Sequence, residues 1–128
     1  MRGAIRIDLR KAMRDHIELK KTFADAIARQ YPLDVEAISQ DVCCALGMWL
    51  HEDASDVYRQ LEEFRECLDA HKAFHLEAAR VARAINEKTG FEAARMLALG
   101  GEYSARSIAL GVSLNRLMKV VRLRAARN

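Results

Sequence analysis

The chain has 128 residues and a mass of 14.5 kDa, enough for one domain whose core needs no disulfide support. Hydrophobic residues make up 51%, charged residues 30% and aromatics 6%, with one proline and six glycines, a balance that excludes a disordered, fibrous or strand-rich protein and favours helices. The net charge is only +3, from 21 basic and 18 acidic side chains, and no stretch reaches the ~20 apolar residues of a membrane span.

Apolar positions spaced by alternating three- and four-residue steps predict four amphipathic helices. The first covers about 2–30 and places Ile5, Leu9, Ala12, His16, Leu19, Phe23 and Ala26 on one stripe. It ends near QYPLD, where Pro32 drives Tyr31 out of helical geometry. Asp34 is the expected N-cap of a second helix over about 35–51, with the stripe Val35, Ile38, Val42, Ala45 and Trp49. The third starts at Asp53 or Ser55 and runs to about Lys88, stopped by Thr89-Gly90. Its stripe is the most regular: Val57, Leu61, Phe64, Leu68, His71, His75, Ala78, Ala82 and Ile85. In the last helix, about 92–124, Gly100-Gly101 predicts a kink or a neighbour's close approach, and Tyr103, Ser107, Leu110, Leu114, Leu117 and Val121 then restore the stripe. Short connections between four such helices make an all-α, antiparallel up-down four-helix bundle, one domain over residues 1–128, with the third and fourth helices projecting beyond the others.

The amino-terminal MRGAIRIDLRKAMRD lacks the apolar run of a signal peptide, so a cytoplasmic location without membrane insertion is expected. Three cysteines, two of them adjacent at Cys43 and Cys44, do not make a disulfide framework and leave thiol chemistry or metal ligation open. Only the terminal KVVRLRAARN is distinctly basic. A solvated helix end explains it, and no nucleic-acid partner is expected; the competing reading would rest on Arg122, Arg124 and Arg127 and on salt-sensitive binding.

Histidine stands where leucine belongs. His71 and His75 continue the core register of Leu61, Phe64 and Leu68, and His16 sits in that of the first helix. A lone core histidine is more often a hydrogen-bonded structural residue, which is the plainer reading of His16 by itself. Two at i and i+4 lie one above the other, so both can reach one ion at the ~2.0–2.1 Å zinc prefers. Without such a partner their buried nitrogens need other satisfaction. Zinc peptidases place a glutamate directly after the first histidine; here Lys72 stands there. Di-iron bundles need inward glutamates, and Glu62, Glu63, Glu66 and Glu77 all fall off the His71–His75 face. A fourth ligand beside His16, His71 and His75 could be Cys43, Cys44, Cys67 or His51. Cys67 belongs with Phe74 and Val81 on the adjacent flank, His51 with an exposed helix end, and Cys44 would tie three helices through one ion.

HIELKKTF at 16–23, CALGMWLHED at 44–53 and HKAFH at 71–75, followed by GGEYSARSIALG at 100–111, together resemble the chemoreceptor zinc-binding domain. That family is a small cytoplasmic four-helix bundle found in bacterial chemoreceptors, in some diguanylate cyclases and as a stand-alone protein. The resemblance implies Zn2+ held by three histidines and a cysteine: His16, Cys44, His71 and His75. Cys43 does not match the pattern, and Leu19 replaces an aromatic often found three residues after the first histidine, a change in packing rather than ligation. Gly47 is read as the place where another helix passes close, and Trp49 as core.

Four protein ligands leave no open coordination position, so a sensor is expected and not an enzyme. Thiolate ligation makes binding pH-dependent and exposes a sulfur to oxidants such as hypochlorous acid. Metal occupancy or thiol state would then bias the bundle between two packings. The resemblance implies chemotaxis or cyclic-di-GMP signalling partners, reached in trans or through a homodimer. A zinc staple without sensing is the alternative, in which oxidants leave the fold untouched. Asp41, one turn before Cys44, is a candidate to orient a metal-bound imidazole and Asp15 a weaker one, although a solvated helix face suits both better.

Overall fold

In a computed structural model that describes residues 8–54, 56–87 and 90–127, the described residues are helical with no strand. Ile5, Ser55 and the Lys88–Thr89 boundary lie outside them, as do the side chains beyond Arg124. Helix α1 (Leu9–Arg29) opens where Asp8 accepts the backbone N–H of Lys11. It closes at Gln30, which turns left-handed at φ 59° while its N–H still reaches Ala26 O, one residue ahead of the Tyr31-Pro32 stop.

The second helix is not continuous. It divides into α2 (Val35–Ser39), capped by Asp34, and α3 (Ala45–Met48), which runs into a π-helical turn at Trp49–Asp53. Two tertiary demands break it. The Ile38 carbonyl, which an uninterrupted helix would give to the N–H four residues on, accepts from Nδ1 of His75 at 2.8 Å. The Asp41 carbonyl then lies against Gly47, where an added Cβ would come within 1.8 Å of its oxygen. Helical phase restarts at Cys44, whose sulfur accepts the Gly47 N–H at 3.3 Å. The buried face therefore becomes Leu46, Trp49 and Leu50, while Val42 and Ala45 of the predicted stripe are exposed.

The third helix likewise splits into α4 (Asp56–Arg59) and α5 (Glu62–Asn86), with Leu61 extended between them. Tyr58 and Phe64, six residues apart, would point about 120° away from each other on one helix. The break lets both meet Trp49, at ring separations of 6.4 and 6.0 Å, and it leaves Val57 55% exposed. From Phe64 onward the expected stripe is buried or half-buried, and a second flank, Cys67, Phe74 and Val81, is fully buried. Burial on two flanks makes α5 the central helix. The fourth helix divides into α6 (Gly90–Met96) and α7 (Glu102–Arg127). Gly100 is not a kink but the turn itself, at φ 85° with nothing within 4 Å of an added Cβ. Gly100→Ala is therefore expected to cost only the left-handed strain, about 1–2 kcal/mol, read as a lower midpoint in urea at unchanged slope.

Helix α7 buries Tyr103, Leu110, Leu114, Leu117 and Val121 and makes its most extensive contact with α5. Contact order gives direction: Phe23 meets Tyr103 and Met13 lies near Gly111, so α1 and α7 run oppositely, whereas His16 faces His71 and His75 and Ala26 faces the cleft beside Ile85, so α1 and α5 run alike. Asn86 pins α2 to the end of α5, accepting Leu33 N–H at 2.8 Å and donating to Leu33 O at 2.7 Å.

Candidate metal centre

Midway along α1 and α5, four side chains converge. His16 comes from α1, His71 and His75 from successive turns of α5, and Cys44 from the residue before α3. The three Nε2 atoms lie 3.2, 3.3 and 3.1 Å apart. The Cys44 sulfur is 3.2 Å from Nε2 of His71 and 3.7 Å from those of His16 and His75. A tetrahedral zinc with bonds of ~2.0–2.1 Å to nitrogen and ~2.3 Å to sulfur needs edges of about 3.3 Å between nitrogens and about 3.6 Å from nitrogen to sulfur. Five of the six separations stand within about 0.2 Å of those edges, and the sixth, Cys44 to His71 at 3.2 Å, is shorter.

Proton positions argue in the same direction. A carbonyl only accepts, so Nδ1 of His16, 2.6 Å from Ala12 O, and Nδ1 of His75, 2.8 Å from Ile38 O, both donate. With Nδ1 carrying the proton, Nε2 of each ring in its neutral form is a bare lone pair, and the two are aimed into one space. At most two protons, one on Nε2 of His71 and one on the Cys44 thiol, are available to six mutual contacts. Burial multiplies the cost of such an arrangement: His71 is fully buried, and His16 and His75 nearly so. A divalent cation satisfies all four donors. His71 keeps one buried atom, Nδ1, without a hydrogen-bond partner.

Burial holds His16 below the ordinary imidazole value of 6.5, opposed by its bond to Ala12 and aided by the neighbouring His75. Burial, with His75, His16 and His51 nearby, takes His71 down to about 2. Desolvation raises the Cys44 thiol, against the N–H groups of Gly47 and Leu46 that favour the thiolate. These directions fix a pH dependence for the metal-free chain. Below 6.5 the unfolded chain takes a proton on His71 and the folded chain does not until about pH 2. The His71 contribution to stability is thus complete above about 6.5 and falls as pH drops toward about 2, by roughly 1 kcal/mol per pH unit, and the lowered His16 adds to the fall in the same direction. Denaturant melts of chelator-treated protein at several pH values check it.

The remaining candidates lie elsewhere. Cys43 is exposed, and Cys67 is buried against Ser113 of α7, outside the cluster. His51 and Asp41 pair with each other at 3.2 Å. Asp41 therefore orients no ligand imidazole, and Asp15 is held by Lys11 at 3.1 Å. The acceptors that orient the imidazoles of His16 and His75 are the backbone oxygens of Ala12 and Ile38, which sequence reasoning missed because every residue carries a carbonyl and none advertises its partner. Phe74 closes one side of the cluster, with its ring 5.4 Å from that of His16.

Neither the curated proteins nor the solved structures yielded a match to this chain. The family model of the chemoreceptor zinc-binding domain matches residues 16–82, just over half of the chain, beginning at His16 and taking in all four members of the cluster. A matched span of that length, containing the whole donor set, establishes that the chain belongs to the chemoreceptor zinc-binding domain family.

Proposed function

We propose that this chain is a zinc-binding regulatory domain whose metal occupancy, or whose Cys44 redox state, is read by a bacterial signalling partner. The observation that carries the reading is the convergence of three imidazole nitrogens and one sulfur at 3.1–3.7 Å. His16, Cys44, His71 and His75 are the ligands, and bound zinc supplies them with a counter-charge and a cross-link. Four protein donors leave no position for a substrate, which supports a sensor and not an enzyme. The matching directions of α1 and α5, and the opposite direction of α7, support an up-down four-helix bundle forming a single domain over residues 1–128. No described helix is long and apolar enough to cross a membrane, which fits the cytoplasmic setting of a domain that acts in trans on a chemoreceptor or diguanylate-cyclase partner, or within a homodimer.

The fold supports a switch of defined extent. The α5–α7 interface supplies no donor to the site, whereas the segment from Leu33 to Asp53 carries Cys44, and its polar ties to α5 run through Cys44, the Ile38–His75 bond and Asn86. Removing zinc is expected to raise amide exchange over about 33–53 while the facing cores of α5 and α7 stay protected. Hydrogen exchange of zinc-loaded, chelated and hypochlorous-acid-treated protein measures this directly. Uniform protection in all three would favour a zinc staple without sensing.

A further inference from the structure

Two of the three thiols share one turn. Cys43 and Cys44 lie in the non-helical segment between α2 and α3. On a helix, adjacent side chains diverge by about 100° and their sulfurs cannot meet; this segment is not helical, but its trans-linked Cα atoms stand about 3.8 Å apart, short of the ~4.4 Å at which the usual disulfide span begins, so closing a bond between them requires the backbone of the turn to shift. Cys44 is extended (φ −78°, ψ 165°) and half-buried, with its sulfur toward the imidazoles. Cys43 is exposed and donates to the side-chain oxygen of Gln40 at 3.5 Å, a surface contact that rotation of its side chain gives up cheaply. The third thiol, Cys67, is fully buried beside Ser113, and burial pushes it up to about 11, so it stays inert.

We propose that Cys43 is the resolving thiol of the metal centre, capturing oxidised Cys44 as a Cys43–Cys44 disulfide. The inference rests on the proposed reading of Cys44 as an oxidant-sensitive ligand. The Cys44 sulfur takes oxygen from hypochlorous acid, giving a sulfenic acid while chloride leaves with the electron pair. The Cys43 thiolate then attacks the sulfenic sulfur. The S–S bond forms as the S–O bond breaks, and the departing hydroxide recovers the proton Cys43 gave up and leaves as water. A disulfide sulfur has no thiolate to offer the metal, so the site stays open until a reductant returns two electrons. Because the sulfenic acid is consumed, the irreversible sulfinic stage is avoided.

The test oxidises the 128-residue chain, zinc-loaded and metal-free, with hypochlorous acid and maps the peptides by mass without reduction. Wild type is expected to give an intrachain Cys43–Cys44 link, lighter by two hydrogens, with Cys67 unmodified and zinc capacity restored by dithiothreitol. Cys43→Ser, at an exposed position, is expected to carry Cys44 on to sulfinic acid and to lose that recovery. Full recovery in Cys43→Ser, sulfinic Cys44 beside free Cys43 in wild type, or Cys43-linked dimers would each overturn the proposal. If the link forms in metal-free protein while zinc-loaded protein resists the oxidant, the resolving thiol stands and the sensor reading fails. If the oxidant releases zinc and no link forms, the reverse holds.

Discussion

Purified wild type is expected to hold one zinc per chain, and Cys44→Ser, His71→Ala and His75→Ala are each expected to lose it. The size of the effect follows from the donor geometry. Disturbing only the groups that orient a ligand costs 10–100-fold in metal affinity, so deleting one of four donors should exceed about 100-fold. Structural zinc contributes on the order of 10 kcal/mol to a folded site, and excess metal at about a thousand times Kd stabilises the folded chain by about 4 kcal/mol. Zinc should therefore raise the wild-type Tm by roughly 10 °C or more and leave the variants unmoved. Cys44 is changed to serine and not to alanine, because its sulfur also caps α3 by accepting the Gly47 N–H. Serine keeps a cap worth about 1 kcal/mol while removing the thiolate, so loss of zinc without loss of the α3 cap isolates ligation. Metal analysis with thermal melts reads both quantities. A Cys44→Ser chain retaining stoichiometric zinc at wild-type affinity would sink the ligand assignment.

Gly47→Ala is expected to destabilise the protein by about 3 kcal/mol or more and to weaken zinc at the same time. The new methyl would lie 1.8 Å from the Asp41 oxygen, 2.8 Å from its carbonyl carbon and 3.0 Å from Val42 Cα. All three are backbone atoms, so no flexible side chain can yield and the 40–44 segment must move. Overpacking a closed contact costs 1–3 kcal/mol even where neighbours can adjust. The displaced segment carries Cys44, whose sulfur stands within 3.2–3.7 Å of three nitrogens, and a shift of an ångström spoils tetrahedral geometry. Denaturant unfolding of metal-free protein gives the first effect and competition with a chromophoric chelator the second. Unchanged stability would mean that the segment does not cross α3 as described, and normal stability with weakened zinc would place the effect in the site alone.

Much of this was legible in residue order. The α5 stripe, its inward histidines, the stop at Tyr31-Pro32 and the membership signalled by HIELKKTF, CALGMWLHED and HKAFH all follow from local spacing. Periodicity failed where the chain breaks without proline or glycine. Neither Gln40–Cys44 nor Arg59–Leu61 contains a helix breaker, because what ends these helices is remote: His75 claiming the Ile38 carbonyl, and Trp49 drawing in both Tyr58 and Phe64. Asp41 was misleading for the same reason, since its proximity in sequence to Cys44 says nothing of the His51 imidazole that holds it.

By itself the sequence determined the helical class, the candidate donors on α1 and α5 and the four-residue pairing of His71 with His75, since these depend on side-chain identity and a fixed 3.6-residue period. Tertiary structure decided which sulfur joins them, which carbonyls aim them and where the second, third and fourth helices end. Those outcomes turn on backbone groups and close approaches between segments distant in the chain, and such contacts leave no period to count.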